Sequence, residues 1–242
     1  MADAPVNKIT PANIPVAARM KRPDIKSPVV LGENWLFLVI TMNKQIKRRR
    51  GGPRTFNRDE AIDIAMHLFW RHGYEGVSLN DLTTAIGIAP PSLYAAFGSK
   101  AGLYREALDH YSGIPGALFN LEGASTLEDT VSAILRQGAD AVTDPAGERG
   151  CMVSSGMLQC AEEYAALARV LSEGRDMMRE TIAQALGRWL NSDRARSLAR
   201  FLVVVLQGMS VQARDGATRE ELEDVVQDAL LVSLTARKTG TK

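Results

Sequence analysis

From Asn57 onward, apolar residues recur at three- and four-residue intervals, the signature of helices with one buried face. Ala61, Ile64, Ala65, Leu68 and Phe69 form the first such stripe. Asn57 stands before it as an N-cap, Asp59 and Glu60 occupy the first turn where the dipole is positive, and Gly73 ends it. Ser78 opens a short second helix with Leu82, Ala85 and Ile86 inward, and Gly87 breaks it. Pro90 and Pro91 suit the first turn of a third, running to Phe97, because a missing N–H costs nothing there. Gly98 and Ser99 end it, and Ser99 caps a fourth helix carrying Leu103, Tyr104, Ala107 and Leu108.

Beyond residue 112 the same period predicts helices at about 125–143, 151–161, 163–190, 193–213 and 218–236. Ser125 with Glu128, and Thr218 with Glu221, have capping-box spacing. Residues 144–147, Asp-Pro-Ala-Gly, read as a loop. Phe201 to Val211 holds no charged residue, so this helix needs cover on more than one side: its own core and a partner. No strand signal of any length interrupts the pattern, and the predicted class is all-α.

Residues 1–43 differ. They hold five of the ten prolines, sustain no helical period, and read as a disordered extension. Met42 directly precedes a basic stretch and is a second candidate start. The divisions expected are an extension (1–43), a basic arm (44–56), a first helical domain (57–104), a second (105–236) and a tail (237–242).

Formal net charge is only +1, yet its distribution is uneven. Residues 44–58 contain Lys44, Lys47, Arg48, Arg49, Arg50, Arg54 and Arg58 and no acid. Residues 44–111 carry ten basic and seven acidic side chains, net +3, and residues 112–242 carry 14 and 18, net −4. A basic front on a mildly acidic back suits a chain that touches nucleic acid with one part only.

Two short helices joined by a glycine, followed by a supporting helix, are the parts of a helix-turn-helix, whose second helix enters the major groove. Gly87 supplies the turn, and Leu82, Ile86, Ile88, Leu93 and Phe97 the packing. The exposed side of the second helix would show Pro91, Ser92, Tyr94, Ala95 and Ala96.

The run Tyr74-Glu75-Gly76-Val77-Ser78-Leu79-Asn80-Asp81-Leu82, then Ala85-Ile86-Gly87-Ile88, Ser92-Leu93-Tyr94 and Phe97-Gly98-Ser99-Lys100, resembles the TetR family of repressors in one uninterrupted register. The resemblance implies an N-terminal three-helix helix-turn-helix DNA-binding domain and a C-terminal helical ligand-binding and dimerisation domain. It implies a homodimer, double-stranded operator DNA and a small-molecule effector as partners; no cofactor is expected, and the low cysteine count fits a reducing cytoplasm. Ser78 and Asn80 fall where the family's brace helix meets phosphate, Pro90, Pro91 and Ser92 open the recognition helix, and Tyr94 and Lys100 take phosphate-contacting positions. Arg48, Arg49, Arg50 and Arg54 form the arm. Ala96 stands where many relatives have histidine, and Gly52 where close relatives have arginine, so sparse base hydrogen bonding, thymine-methyl contact and shape readout are expected.

Arg149-Gly150-Cys151-Met152 and Val205-Leu206-Gln207-Gly208-Met209 resemble one subgroup more weakly. Candidate pocket walls are Phe119, Met152, Met157, Tyr164, Met178 and Trp189, residues equally suited to plain core. Phe201, Val205, Met209, Leu222, Val226 and Leu230 are the expected dimer face.

Two cysteines, Cys151 and Cys160, are too few for a disulfide framework, and on one helix they could not pair. Cys151 near a helix N-terminus would have a lowered thiol pKa, although a small buried residue is the plainer role. His67, His72 and His110 have no ligand spacing, so no metal site is expected. The apolar run Trp35–Met42 is too short to span a bilayer. No nucleophile–base pair, paired carboxylates or phosphate-binding glycine loop points to an enzyme. Two rivals to a ligand-responsive repressor are a ligand-independent DNA-binding protein or activator, and an enzyme using the C-terminal pocket.

Overall fold

The computed structural model describes residues 56–114 and 119–235. The basic arm apart from Phe56, the extension and the tail lie outside the described residues. Among these, eight α-helices and no strand are present: α1 (Arg58–His72), α2 (Leu79–Ile86), α3 (Pro90–Phe97), α4 (Lys100–Ser112), α5 (Leu127–Thr143), α6 (Ala165–Leu186), α7 (Ser192–Arg214) and α8 (Arg219–Thr235). None of them is long and apolar enough to cross a membrane.

Most helix ends follow the local chemistry. Asn57 Oδ1 accepts from the Asp59 and Glu60 amides, Ser99 Oγ from Gly102, and Thr218 with Glu221 forms a reciprocal box. At α5 the cap moves one residue: Thr126, not Ser125, accepts from the Asp129 amide, while Asp129 accepts from Ser125.

Two apolar cores organise the helices. The first lies among α1–α4 and centres on Phe69, Leu82, Leu93, Leu103 and Tyr104, all almost fully buried. It also takes in Met152, Val153, Leu167 and Leu171, from well beyond residue 104. The second lies among α5, the later turns of α6, α7 and α8, with Ile134, Leu135, Ile182, Leu186, Leu202 and Val226 at its centre.

The predicted helix at 151–161 does not form. Residues 151–160 run through turns and bends, and only a 3-10 turn at Glu162–Tyr164 precedes α6. Side chains from distant elements take up the segment's backbone groups. Ser210 Oγ accepts from the Cys151 amide at 2.8 Å, and Arg175 Nη1 donates to the carbonyls of Val153 and Gly156. The helical premises about both cysteines fall with it. Each thiol is free and half-buried, and Cys151 sits at no helix start.

Candidate nucleic-acid interface

The turn between α2 and α3 depends on Gly87. It holds φ 76°, ψ 31°, the left-handed region, and its amide and that of Ile88 both reach the Thr83 carbonyl at 3.0 Å. Leu82 and Leu93, both fully buried, fix the crossing of the two helices against α1 and α4. Ser78 caps α2 by accepting from the Asp81 amide at 3.1 Å, and Asp81 accepts in turn from the Ser78 amide.

This frame leaves Asn80, Pro90, Pro91 and Tyr94 exposed, Tyr94 at 47%. Ser92 is half-buried. The start of α3 has no spare amide to offer an anion: Pro90 and Pro91 carry none, and that of Ser92 donates to the Ala89 carbonyl at 2.9 Å. The groups this edge leaves open are therefore side chains, with Tyr94, which carries a hydroxyl, the exposed aromatic on α3. Arg48, Arg49, Arg50 and Arg54 lie outside the described residues.

Lys100 opens α4, with its ammonium 4.2 Å from the centroid of the Tyr74 ring. Burial lowers its pKa, which Glu75 and Asp81 nearby partly oppose. Tyr74 is itself clasped by Tyr104 and Tyr164, each 5.0 Å away between centroids. Tyr164 comes from the turn before α6, where the Ala161 amide also donates to Glu75 at 3.2 Å. The family resemblance singled out Lys100, but no signal in the sequence pointed to Tyr74 as its seat, because the clasp joins residues ninety positions apart.

A strap, residues 144–157, ties α1, which backs the reading helices α2 and α3 in the first core, to the second core. The Trp70 indole N–H donates to the Gly150 carbonyl at 2.9 Å, and the Trp70 carbonyl accepts from Arg214 Nη2 at 2.9 Å. Arg71 meets Glu148 through two bonds of 2.8 Å, and His67 Nδ1 lies 3.3 Å from the same carboxylate. Burial would raise the pKa of Glu148, but hydrogen bonds from His67 and Arg71, and their charges, hold it at about 2. The hydrogen bond to Glu148 raises the His67 pKa above its ordinary 6.5, against burial.

The signs give a pH window. Glu148 stabilises the fold fully above its ordinary 4.5 and loses that contribution as pH falls towards 2. His67 contributes fully below 6.5 and fades as pH rises through its elevated value. The stability difference between the wild type and Glu148→Gln in urea should therefore peak between 4.5 and 6.5. A difference flat with pH would remove this role.

The six candidate pocket residues do not surround one cavity. Met152 and Met157 line a cavity of about 240 Å³ together with Phe69 and Tyr104. Tyr164 meets Tyr74 edge-on, whereas Phe119, Met178 and Trp189 pack on the second core, the Trp189 indole donating to Thr130 Oγ1 at 3.0 Å. The expected dimer face is also corrected. Met209, Leu222, Val226 and Leu230 are buried within the chain's own second core, and Phe201 and Val205 are half-buried against it. The apolar residues left exposed on α7 and α8 are Val204, Val211, Val225, Leu231 and Val232.

Comparison with known proteins agrees with this geometry. Residues 61–107 match the bacterial regulatory proteins of the tetR family. The chain is 36% identical over 202 residues to the HTH-type transcriptional repressor ComR of Escherichia coli K12, covering 76% of this chain and 92% of ComR. It is 33% identical to the repressor BdcR of the same strain, covering 75% and 91%. Among solved structures, a cysteine-substituted TetR family regulator CifR, complexed with 26-base-pair double-strand operator DNA, is 40% identical. It superposes with a TM-score of 0.68 over 75% of this chain and 98% of CifR. The chain belongs to the TetR family of bacterial transcriptional regulators.

Proposed function

We propose that the chain is a ligand-responsive repressor that binds an inverted-repeat operator as a homodimer. The observation that carries this is the exposed edge of α3: Tyr94 stands clear of the protein on the reading helix, and Lys100 is seated at the start of the next. The names of ComR and BdcR, and the operator complex of CifR, support the repressor reading.

In this reading Tyr94, Ser78, Asn80, Ser92 and Lys100 meet phosphate or sugar, Pro90 and Pro91 face the groove, and Arg48, Arg49, Arg50 and Arg54 follow the backbone from the arm. Two recognition helices about 34–36 Å apart would then fit successive major grooves. An effector that prefers another arrangement of the C-terminal helices shifts the population away from that spacing, a coupling of about 1–3 kcal/mol.

Selection from random duplexes should recover an inverted repeat, and recovery without any shared repeat would overturn the reading. Lys100→Gln should weaken binding to all sequences alike and reduce the slope of log affinity against log salt by about one unit. An unchanged slope would show that Lys100 touches no phosphate.

The dimer face is proposed at Val204, Val211, Val225, Leu231 and Val232. Val204 and Val211 lie two turns apart on α7 with Gly208 between them, where an added Cβ would meet nothing within 4 Å. Glutamate at both Val204 and Val232 should leave a monomer in sedimentation; a persistent dimer would exclude this face.

A further inference from the structure

We infer that the cavity between α1, α4 and the strap binds a small organic monoanion, a carboxylate on a body the size of one aromatic ring or a short alkyl chain. This rests on the ligand-responsive reading above and places its effector site at the junction of the two cores.

Size sets the first limit. The cavity measures about 240 Å³. An apolar cavity of roughly 150 Å³ takes up benzene, while drug-sized ligands occupy about 300–1,000 Å³. Its apolar walls are Phe69, Tyr104, Met152 and Met157, which favour a carbon body over a bare inorganic ion.

Charge sets the second limit. Arg71 and Arg214 both border the cavity. Arg71 is answered by Glu148. Arg214 is not: its Nε and Nη2 donate to the neutral oxygens of Ser155 and Trp70, and among the described residues no carboxylate lies within ion-pair distance of it. That guanidinium, exposed at the rim of the cavity, planar and suited to a carboxylate, can take one negative charge. The wall is also strained. Met157 holds φ 46°, a region that costs a side-chain-bearing residue about 1–3 kcal/mol and persists only where its surroundings impose it.

Occupancy would act on DNA contact directly. Phe69 and Tyr104 meet edge to face at 4.9 Å, and Tyr104 in turn supports Tyr74, the seat of Lys100. Arg214 is also the residue that clasps the Trp70 carbonyl. A carboxylate drawing Arg214 towards itself competes with that clasp, so one ligand touches both the seat of Lys100 and a tie to the second core.

The full-length protein is titrated calorimetrically with benzoate and with hexanoate, using benzyl alcohol and inorganic phosphate for comparison. Operator affinity is read in parallel by fluorescence anisotropy on the duplex selected above. Benzoate or hexanoate should bind with millimolar Kd or tighter, and benzyl alcohol and phosphate at least about tenfold more weakly, the ratio that one charge-assisted hydrogen bond supplies. Arg214→Gln should cost a similar factor. Met157→Trp, which fills the cavity from its rim without removing a charge, should abolish binding in a protein with unchanged circular dichroism. Failure of both anions to bind, equal binding of the alcohol, or binding indifferent to both substitutions would overturn the site. Anion binding that obeys the substitutions but leaves operator affinity unchanged would keep the site and remove the effector reading instead.

Discussion

Trp70→Ala is expected to lower the unfolding free energy by about 3–5 kcal/mol, the range for removing a large buried aromatic side chain. Trp70 is only 5% exposed at the end of α1. Its ring meets Tyr111 edge-on at 4.8 Å and stacks on His67 at 6.2 Å. The strap closes over it at Gly147, where an added Cβ would come within 2.9 Å of the indole. The indole N–H also satisfies the Gly150 carbonyl in a buried setting. Trp70→Phe separates the two contributions. It keeps most of the ring and leaves that carbonyl unpaired, which costs about 1–3 kcal/mol. Urea denaturation of both variants gives the comparison. A phenylalanine variant as stable as the wild type would show that the hydrogen bond does not hold the strap.

The same residue shows what the sequence could not reveal. Ala61, Ile64, Ala65, Leu68 and Phe69 mark the buried stripe of α1 by spacing alone, and the structure buries all but Ile64, which is half-buried against the first core. Trp70 lies outside the expected stripe, and its burial comes from the strap, eighty residues away. Legibility throughout followed the range of the interaction. The caps of α1 and α4, the turn at Gly87, the two prolines of α3 and the inward leucines depend on neighbours within one or two turns, and all are where the pattern placed them.

The segment 151–161 failed for the opposite reason. Met152, Val153, Met157 and Leu158 have spacing that a helix could use, but the backbones of Cys151, Met152, Val153 and Gly156 find partners in α4, α6 and α7. The dimer face failed on a finer point. Valine, leucine and methionine occupy more than one stripe of α7, so periodicity identifies a helix covered on two sides without saying which stripe faces inward. Leu202, Leu206 and Met209 took the core, leaving Val204 and Val211 outside. At the DNA-binding end Tyr94 is exposed and Lys100 half-buried at the start of α4, and the aromatic seat beneath Lys100 draws on residues from three separate elements.

Gly150→Ala should destabilise the chain by at least about 1–3 kcal/mol from the backbone alone, because an L side chain rarely adopts this conformation. Gly150 holds φ 82°. Sterics add to this: a Cβ there would sit 2.8 Å from the Ser210 carbonyl oxygen and equally close to Arg214 Cγ and Nε. Arg214 could swing aside only by surrendering its bonds to Trp70 and Ser155, and the Ser210 carbonyl moves only if α7 does. Because Gly150 and Trp70 share one hydrogen bond, their effects cannot be independent. The double variant carrying Trp70→Ala and Gly150→Ala should lose less than the sum of the two single losses, by about 0.5–3 kcal/mol, since the clasp can be broken only once. Strict additivity in the urea cycle would mean that the two residues serve separate structures, and the strap would then not be the tie between the reading helices and the second core.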